Sequence, residues 1–418
     1  MTYGLRAASR SESPRAHDPS ASVAVLIRAL LAVGVVVVMV GGALALIRDG
    51  RLPIGSIPPA LLTEGLARFE PAALAMLGIL LLLATPPIAL TWIGVSFARE
   101  GDRRFAGIVA GLLGLIVVGL LAALLAGAGE GSESLPPPSG LMQLGVLVAA
   151  AASGALGVQV GLGGAAFLVP ILSGFFGVPM KLAIGAGAVS VVVNSLAGAS
   201  SYLRDRIPNI RLGLILELPT LVGAVAGGLI VVAVAPSVLR GVFAVVLLGL
   251  AIRVVTRPGG GEVVREGADP LGVAGAYHDR ASGEDVTYVP QRLRLGAAAG
   301  LVGGVLSGML GLAGGVIKTP VMHSIMRMPV KAAAATSVLM GGFTVSASAY
   351  MYYVHGIIDL SIAIPAVLGI QIGSRTGARM SRHVSGTVLE RVLAVVLTGL
   401  GVVLVLQLFG VGPGPTGS

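Results

Sequence analysis

Apolar runs of twenty residues or more recur along this chain, and they constrain its fold more than any other feature. A run of that length crosses the hydrocarbon core of a bilayer as a helix. Strands of a membrane barrel would alternate apolar and polar residues, and these runs do not alternate. Only 11% of the 418 residues are charged, which is too few to cover a soluble surface. The sequence therefore predicts an all-α polytopic membrane protein.

The second half of the chain repeats an earlier part at a fixed offset of 150 residues. Residues 154–250 align with 304–400 without a gap, with about a quarter of the positions identical. The matches include residues that apolar helices rarely share by chance: Pro170 and Pro320, Pro179 and Pro329, Lys181 and Lys331, Tyr202 and Tyr352, and Gly223 and Gly227 with Gly373 and Gly377. We interpret this pattern as an internal duplication.

The apolar runs and the polar stretches between them divide the chain into seven segments. A three-helix membrane segment is expected to precede the two repeats, and each repeat is expected to contain a short helix broken by glycines. The predicted segments are a polar tail at 1–21, the three-helix membrane domain at 22–128, a stiff linker at 129–140, the first repeat at 141–255, a cytoplasmic soluble loop at 256–291, the second repeat at 292–410 and a tail at 411–418.

The placement of arginine and lysine predicts the orientation of these segments. With the N-terminus in the cytoplasm, most basic loops fall inside, and the linker at 129–140, which has no basic residue, falls outside. Each repeat crosses the membrane an odd number of times, so the second repeat is inverted. The exceptions to the charge rule are Arg48, Arg51, Arg68, Lys181 and Arg240. We expect a multi-pass protein of the plasma (inner) membrane, and we attribute the net charge of +9 to these loops rather than to nucleic-acid binding.

Two glycine-rich stretches occupy matching places in the repeats: GLGGAAFLVP at 161–170 and GLAGGVIKTP at 311–320. A backbone that is not helical survives at membrane depth only where it is buried or lines a cavity. Broken helices also leave free N–H groups, which suit an anion. Packing alone could explain a single copy. Two matched copies favour broken, cavity-lining segments with these candidate substrate-binding residues: Gly161, Gly163, Gly164, Gly311, Gly314 and Gly315.

The paired motifs, followed by helices that open KLAIGAGAVSVVVNSLAGASSYL and KAAAATSVLMGGFTVSASAYMYY, resemble the TauE/SafE family of sulfite-exporter-like permeases. The resemblance covers about residues 141–410. It implies a permease for small anions, typically sulfite, sulfoacetate or other sulfur-containing or organic acids. Ala186 and Gly187 replace, in the first half, the family's usual Thr-Ser pair, which the second half keeps as Thr336 and Ser337. The three helices ahead of the repeats resemble an uncharacterised membrane domain that occurs beside such permeases.

Lys318 is the most informative single residue, because a cation at membrane depth is costly and usually functional. It could provide the counter-charge for an anion, or it could extend to the cytoplasmic surface. Leu168 stands at the matching place in the first half. Glu217 is a candidate carrier of a coupling proton, with pairing to Arg204, Arg206 or Arg211 as the alternative. Four polar side chains could donate hydrogen bonds to an oxyanion or bond their own helices: Asn194, Ser195, Thr336 and Ser337.

The sequence carries no sign of an enzyme, a cofactor or a metal centre. It has no cysteine, no metalloprotease or nucleophile-elbow motif and no phosphate-binding loop. His323 and His355 have no ligand partners at useful spacing, so we expect neither catalytic residues nor metal. The expected partners are a small anion and the lipid bilayer. The sequence leaves open whether the chain forms a homo-oligomer. The competing interpretation is a membrane scaffold or sensor that transports nothing, but a scaffold does not require matched breaks.

Overall fold

The computed structural model describes residues 20–125, 138–160, 162–256, 269–279, 283–380 and 386–410. Within these ranges the chain forms fourteen helices and one two-stranded antiparallel sheet. Nine of the described helices are long and apolar enough to cross a membrane. The prediction of an all-α polytopic membrane protein is therefore confirmed.

Four helices precede the repeats: α1 (Ser20–Asp49), α2 (Pro59–Ala67), α3 (Pro71–Arg99) and α4 (Arg103–Leu125). The first, third and fourth correspond to the predicted spans. The short helix α2 was not predicted, because it has only nine residues and no apolar run. Its signals were Pro59 at the first helical position and the Glu64–Arg68 pair one turn apart, 2.7 Å between charged atoms.

The remaining elements recur at the offset seen in the sequence. The first set is α5 (Gly140–Val160), α6 (Ala165–Phe175), α7 (Met180–Arg204), α8 (Ile210–Ala233) and α9 (Pro236–Thr256). The second set is α10 (Leu293–Leu310), α11 (Gly315–Ser324), α12 (Val330–Val354), α13 (Leu360–Met380) and α14 (Gly386–Leu408). Between the sets lie β1 (Gly275–Asp279) and β2 (Glu284–Tyr288), which pair as an antiparallel hairpin within the segment predicted as a soluble loop. Helices α6 to α9 begin 150 residues before α11 to α14.

Glycine stripes join the two sets of helices by reciprocal contacts. A Cβ added at Gly223 or Gly227 of α8 would lie 2.2 or 2.1 Å from the carbonyl oxygens of Leu301 or Val305 on α10. The equivalent contacts join α13 to α5: Gly373 to Ala151 and Gly377 to Ala155, at 1.9 and 2.4 Å. Only glycine permits helices to approach this closely. Both glycine pairs, each with a GxxxG spacing, therefore lie at helix-packing contacts.

Helices α7 and α12, which occupy equivalent places in the two sets, pack against each other in opposite directions. Gly198 contacts Val338, and Ser195, three residues earlier, contacts Gly341, three residues later. The two helices thus run antiparallel where they pack together. Both helices are buried along almost their whole length, so they form the centre of the molecule.

The N-terminal domain, formed by the first four helices, contacts equivalent turns of the two sets. At one end, the backbone N–H of Gly55 donates to the Asp359 carboxylate, and Leu360 N–H donates to the Gly55 carbonyl, each at 2.9 Å. At the other end, the Arg211 guanidinium lies 3.1 Å from the Asp102 carboxylate. Because residues 359–361 are equivalent to 209–211, this domain holds matching turns of both sets.

The β-hairpin covers the end of α11. Its Tyr277 and Tyr288 pack in a small apolar core with Met322, Met326 and Met328. The Lys331 ammonium lies 2.6 Å from the Asp279 carboxylate and ties β1 to the start of α12. Burial raises the pKa of the Tyr288 phenol to about 12.

Candidate functional site

The glycine motifs form two breaks in the helical structure. Gly163 and Gly164 have φ of +78° and +80°, and Gly311 and Gly314 have φ of +65° and +64°. Residues with a side chain rarely adopt this left-handed backbone, so the motif glycines are required here. Gly164 and Gly314 are the N-caps of α6 and α11, and Gly315 is the first residue of α11. Gly161 lies outside the described residues.

The two breaks meet at matching residues. A Cβ added at Gly163 would lie only 2.6 Å from the Cβ of Ala313, which is the equivalent residue of the second set. Each break also lies against its own long helix, since Gly163 contacts Val191 of α7 and Ala313 contacts Gly341 of α12. The motifs predicted from sequence are therefore adjacent in space and lie beside the α7–α12 crossing.

The repeated tyrosines provide hydrogen bonds to the backbone before each break. The hydroxyl of Tyr202 on α7 donates to the Val158 carbonyl at 3.4 Å, and that of Tyr352 on α12 donates to the Gly308 carbonyl. Both carbonyls lie in the last turn of a helix, where intrahelical partners are missing. The matched tyrosines thus satisfy backbone groups that the breaks leave free.

Lys318 and Glu217 form a buried ion pair. Their side chains are 3% and 0% exposed, and Nζ of Lys318 lies 3.7 Å from Oε2 of Glu217. The Lys318 ammonium donates to the Thr344 hydroxyl at 2.8 Å, and that hydroxyl donates to Oε1 of Glu217. The three groups come from α11, α12 and α8. Lys318 also bends back over the break, because a Cβ at Gly314 would lie 2.9 Å from its Cε.

This geometry excludes one of the alternatives left open for each charge. Lys318 does not extend to the surface, as the snorkelling interpretation required. Glu217 contacts Lys318 and Thr344, and its proposed alternative partner Arg211 instead pairs with Asp102. Pairing with an arginine near the end of the span was therefore the wrong interpretation.

Four hydroxyls on the central helices have no hydrogen-bond partner among the described residues, and Ser190 Oγ and Tyr353 Oη are two of them. The other two belong to candidate site residues predicted from the sequence. They are Ser195 Oγ on α7 and Ser337 Oγ on α12, and both are buried. A Cβ at Gly341 would lie 3.1 Å from Ser195 Oγ and 2.9 Å from Ala313 Cβ, which places Ser195 beside the breaks. Buried hydroxyls are usually satisfied, so unpaired ones suggest a place for a polar ligand or water.

The hydroxyls and the ion pair lie along one face of α12. Ser337, Gly341 and Thr344 are spaced four and three residues apart, which puts them on the same face. Gly341 and Thr344 are separated by about one helical turn, or 5 Å along the axis. The structure therefore brings Ser195, Ser337, the breaks and the Lys318–Glu217 pair into one region.

Asn194 occupies the position on α7 that Thr344 occupies on α12. Its Oδ1 accepts a hydrogen bond from the Ser374 hydroxyl of α13, and its Nδ2 has no partner among the described residues. Leu168 and Val367 stand where the other half has Lys318 and Glu217. The place equivalent to the charged pair, which also draws on both halves, thus has the neutral polar Asn194 and no charge.

Thr336 is placed differently from its neighbour Ser337. Its hydroxyl accepts a hydrogen bond from the backbone N–H of Asn209, at 2.9 Å. Asn209 caps α8, and its amide donates to the Val273 carbonyl in the loop before β1. Thr336 therefore ties α12 to the start of α8 and does not join Ser337 at the breaks.

Two residues of this region were missed by the sequence analysis, Thr344 and Ser374. Thr344 had a signal, because it is the polar equivalent of Asn194 and was left unremarked. Ser374 had none, since its equivalent is Ala224. No group of three potential metal ligands occurs in the described part of the chain.

Two parts of the chain match models of known protein families. Residues 145–404 match the family model described as sulfite exporter TauE/SafE. Residues 23–121 match the model of a protein family of unknown function, DUF1634. The first match includes both breaks, the central helices and the buried pair, and the second includes α1, α3 and most of α4.

Curated relatives cover the same part of the chain. The chain is 25% identical over 266 residues to "Probable membrane transporter protein YunE" of Bacillus subtilis, covering 61% of this chain and 94% of that protein. It is 25% identical over 270 residues to "Probable membrane transporter protein MJ0441" of Methanocaldococcus jannaschii, covering 60% and 91%. A third relative, "Probable membrane transporter protein MamO" of Paramagnetospirillum magneticum, is 26% identical over 278 residues, covering 62% and 43%. No solved structure matches significantly.

Proposed function

The chain belongs to the sulfite exporter TauE/SafE family of membrane permeases, and we propose that it carries small anions, such as sulfite, sulfoacetate or other organic acids. The single observation that carries this proposal is the buried cation at a break. Lys318 lies over Gly314, at the N-terminus of α11, within a region of unpaired hydroxyls. A helix N-terminus and a desolvated ammonium both attract an anion.

The anion site that we propose lies between the breaks and the central helices. Lys318 supplies the charge, Ser195 and Ser337 supply hydrogen bonds, and Gly163 and Gly314 let the ligand approach the backbone. Asn194 is assigned to the opposite wall of the same region. Thr336 positions α12 against the start of α8, through its hydrogen bond with Asn209. Gly161 remains a candidate binding residue because of its place in the motif.

Binding of anions by the purified protein tests this function. We expect a sulfur oxyanion or small carboxylate, among sulfite, thiosulfate, sulfoacetate, sulfate, acetate and lactate, to raise the unfolding temperature selectively. An anion at a hundred times its Kd stabilises the protein by about 2.7 kcal/mol. Chloride at the same ionic strength is the control. If no anion shifts the unfolding temperature beyond chloride, the anion site is wrong, and a membrane scaffold or sensor becomes the better interpretation.

Transport by alternating access is proposed on the arrangement of the two halves. The reciprocal glycine contacts support two copies related by a twofold axis, and the antiparallel crossing of α7 and α12 supports an inverted second copy. In this arrangement the halves rock about a shared central site, which opens first to one side and then to the other.

The orientation in the plasma membrane is a separate prediction, with the N-terminus and the hairpin inside. The chain has no cysteine, so single introduced cysteines give an unambiguous signal. Ser237→Cys, exposed in the first turn of α9, is expected to react with an impermeant maleimide in intact spheroplasts. Thr287→Cys, exposed on β2, is expected to react only after the membrane is opened. The reverse pattern would overturn the orientation, and equal labelling of both in intact spheroplasts would contradict the inverted arrangement.

A further inference from the structure

One oxygen of the Glu217 carboxylate has no hydrogen-bond donor, although the side chain is fully buried. Oε1 accepts from Thr344, whereas Oε2 has no hydrogen-bond partner in the described part of the chain. The nearest cation, Lys318 Nζ, is 3.7 Å from Oε2, and it donates to Thr344 instead. Buried polar atoms without partners require an explanation. Oε2 is therefore a place where a proton can bind without breaking an existing hydrogen bond.

The charge of Glu217 depends on Lys318. The helices packed on α8 carry their other charged residues at their ends: Arg103 and Arg104 on α4, Arg294 on α10, and Lys331 on α12, which binds Asp279. On α11, the His323 ring forms a hydrogen bond with the Met328 carbonyl. On α12, the Tyr352 hydroxyl donates a hydrogen bond to the Gly308 carbonyl. Among the described residues, Lys318 is the one cation within ion-pair distance of Glu217.

We propose that Lys318 exchanges its partner during transport and thereby couples the anion to a proton. This inference rests on the proposed anion permease. In the empty site Lys318 neutralises Glu217. When a monoanion binds Lys318, the carboxylate loses its cation, and a proton from water on the open side binds Oε2. The site gains one negative and one positive charge, so its total charge is unchanged.

The physical reason for the exchange is the cost of a lone charge at membrane depth. A buried carboxylate without a cation is strongly unfavourable, so anion binding and protonation stabilise each other. Thr344 permits the change, because its hydroxyl also lies 3.0 Å from the Met340 carbonyl and can donate there when it leaves Glu217.

The asymmetry of the two halves sets the stoichiometry. The equivalent positions are Leu168 in the first half and Val367 in the second, and because both are aliphatic they offer no second exchangeable pair. We therefore expect one proton for each monoanion, and binding that weakens about tenfold for each pH unit wherever the empty site is unprotonated and the occupied site is protonated.

Proton uptake on anion binding tests the coupling directly. Purified full-length protein, weakly buffered near neutral pH with an indicator dye, is mixed with the monoanions methanesulfonate, acetate or lactate, or with the dianions sulfate, thiosulfate or sulfoacetate, none of which titrates there. The wild type and Glu64→Gln, an exposed control carboxylate on α2, are expected to take up about one proton for each monoanion bound. Glu217→Gln, which mimics the protonated side chain, is expected to bind the anion with no uptake and no pH dependence.

The outcomes separate the coupling from the function on which it rests. Anion binding without proton uptake by the wild type, or equal uptake by Glu217→Gln, overturns the coupling and leaves the anion permease standing. Absence of binding by any of these anions, in wild type that is folded and monodisperse, overturns the proposed function itself. Loss of binding in Glu217→Gln, with its unfolding temperature unchanged, also counts against the exchange.

Discussion

Lys318→Leu is expected to destabilise the folded protein by about 3–5 kcal/mol, because it leaves the Glu217 carboxylate buried without its cation. Glu217→Val should cost a similar amount by leaving the ammonium unpaired. Thermal unfolding in detergent, followed by size-exclusion chromatography, measures both. The loss in Lys318→Leu should lessen at acidic pH, where protonation neutralises the lone carboxylate.

The double variant Lys318→Leu/Glu217→Val should recover most of this stability. It installs at both positions the residue that the other half already carries, since Leu168 matches Lys318 and Val367 matches Glu217. Replacing a whole buried ion pair by apolar residues is often neutral or stabilising, by about 1–4 kcal/mol. Lys331→Leu is the matched control, since its pair with Asp279 is half exposed and contributes about 0–1 kcal/mol. A double variant less stable than both single variants would show that the pair is chiefly a structural bond.

Gly227→Val is expected to separate α8 from α10. The new Cβ would lie 2.1 Å from the Val305 carbonyl oxygen and 2.9 Å from the Met309 nitrogen, and neither backbone atom can move without its helix. Overpacking of this kind costs about 1–3 kcal/mol or more. We expect a marked fall in the unfolding temperature, or loss of the monodisperse species. The equivalent Gly377→Val should behave alike, since its Cβ would lie 2.4 Å from the Ala155 carbonyl oxygen.

Gly249→Val on α9 is the control for this effect. A Cβ at Gly249 meets nothing within 4 Å, so the substitution changes helix propensity alone. If Gly227→Val were as stable as Gly249→Val, the close contact between α8 and α10 at this glycine would be contradicted. The reciprocal arrangement of the two halves would then lose one of its supports.

Much of the fold followed from local features of the sequence. Long apolar runs fixed the spans, and Pro179 and Pro329 marked the starts of α7 and α12. The matched glycines indicated the breaks, because only glycine adopts a left-handed backbone freely. The small helix α2 was not predicted, since nine residues without an apolar run carry little periodic signal.

The site was only partly predictable, because its contacts join distant parts of the chain. Lys318 and Glu217 were each singled out, yet nothing local indicated that they meet through Thr344 on a third helix. One signal was available: both charges stand where the other half has an aliphatic residue, and a paired departure from a repeat suggests a pair in space. Thr336 was misleading, because a hydroxyl that caps a distant helix looks in sequence like one that faces a ligand.

Uptake by proteoliposomes measures the central claim most directly, with wild type compared against the Lys318→Leu/Glu217→Val variant. Vesicles loaded with one unlabelled sulfur oxyanion or carboxylate are diluted into the same anion carrying a radiolabel. The wild type is expected to accumulate label for at least one anion, and the folded double variant is expected to accumulate no more than protein-free vesicles. Uptake by the double variant at the wild-type rate, or none by folded wild type with any anion, would contradict an anion permease centred on Lys318.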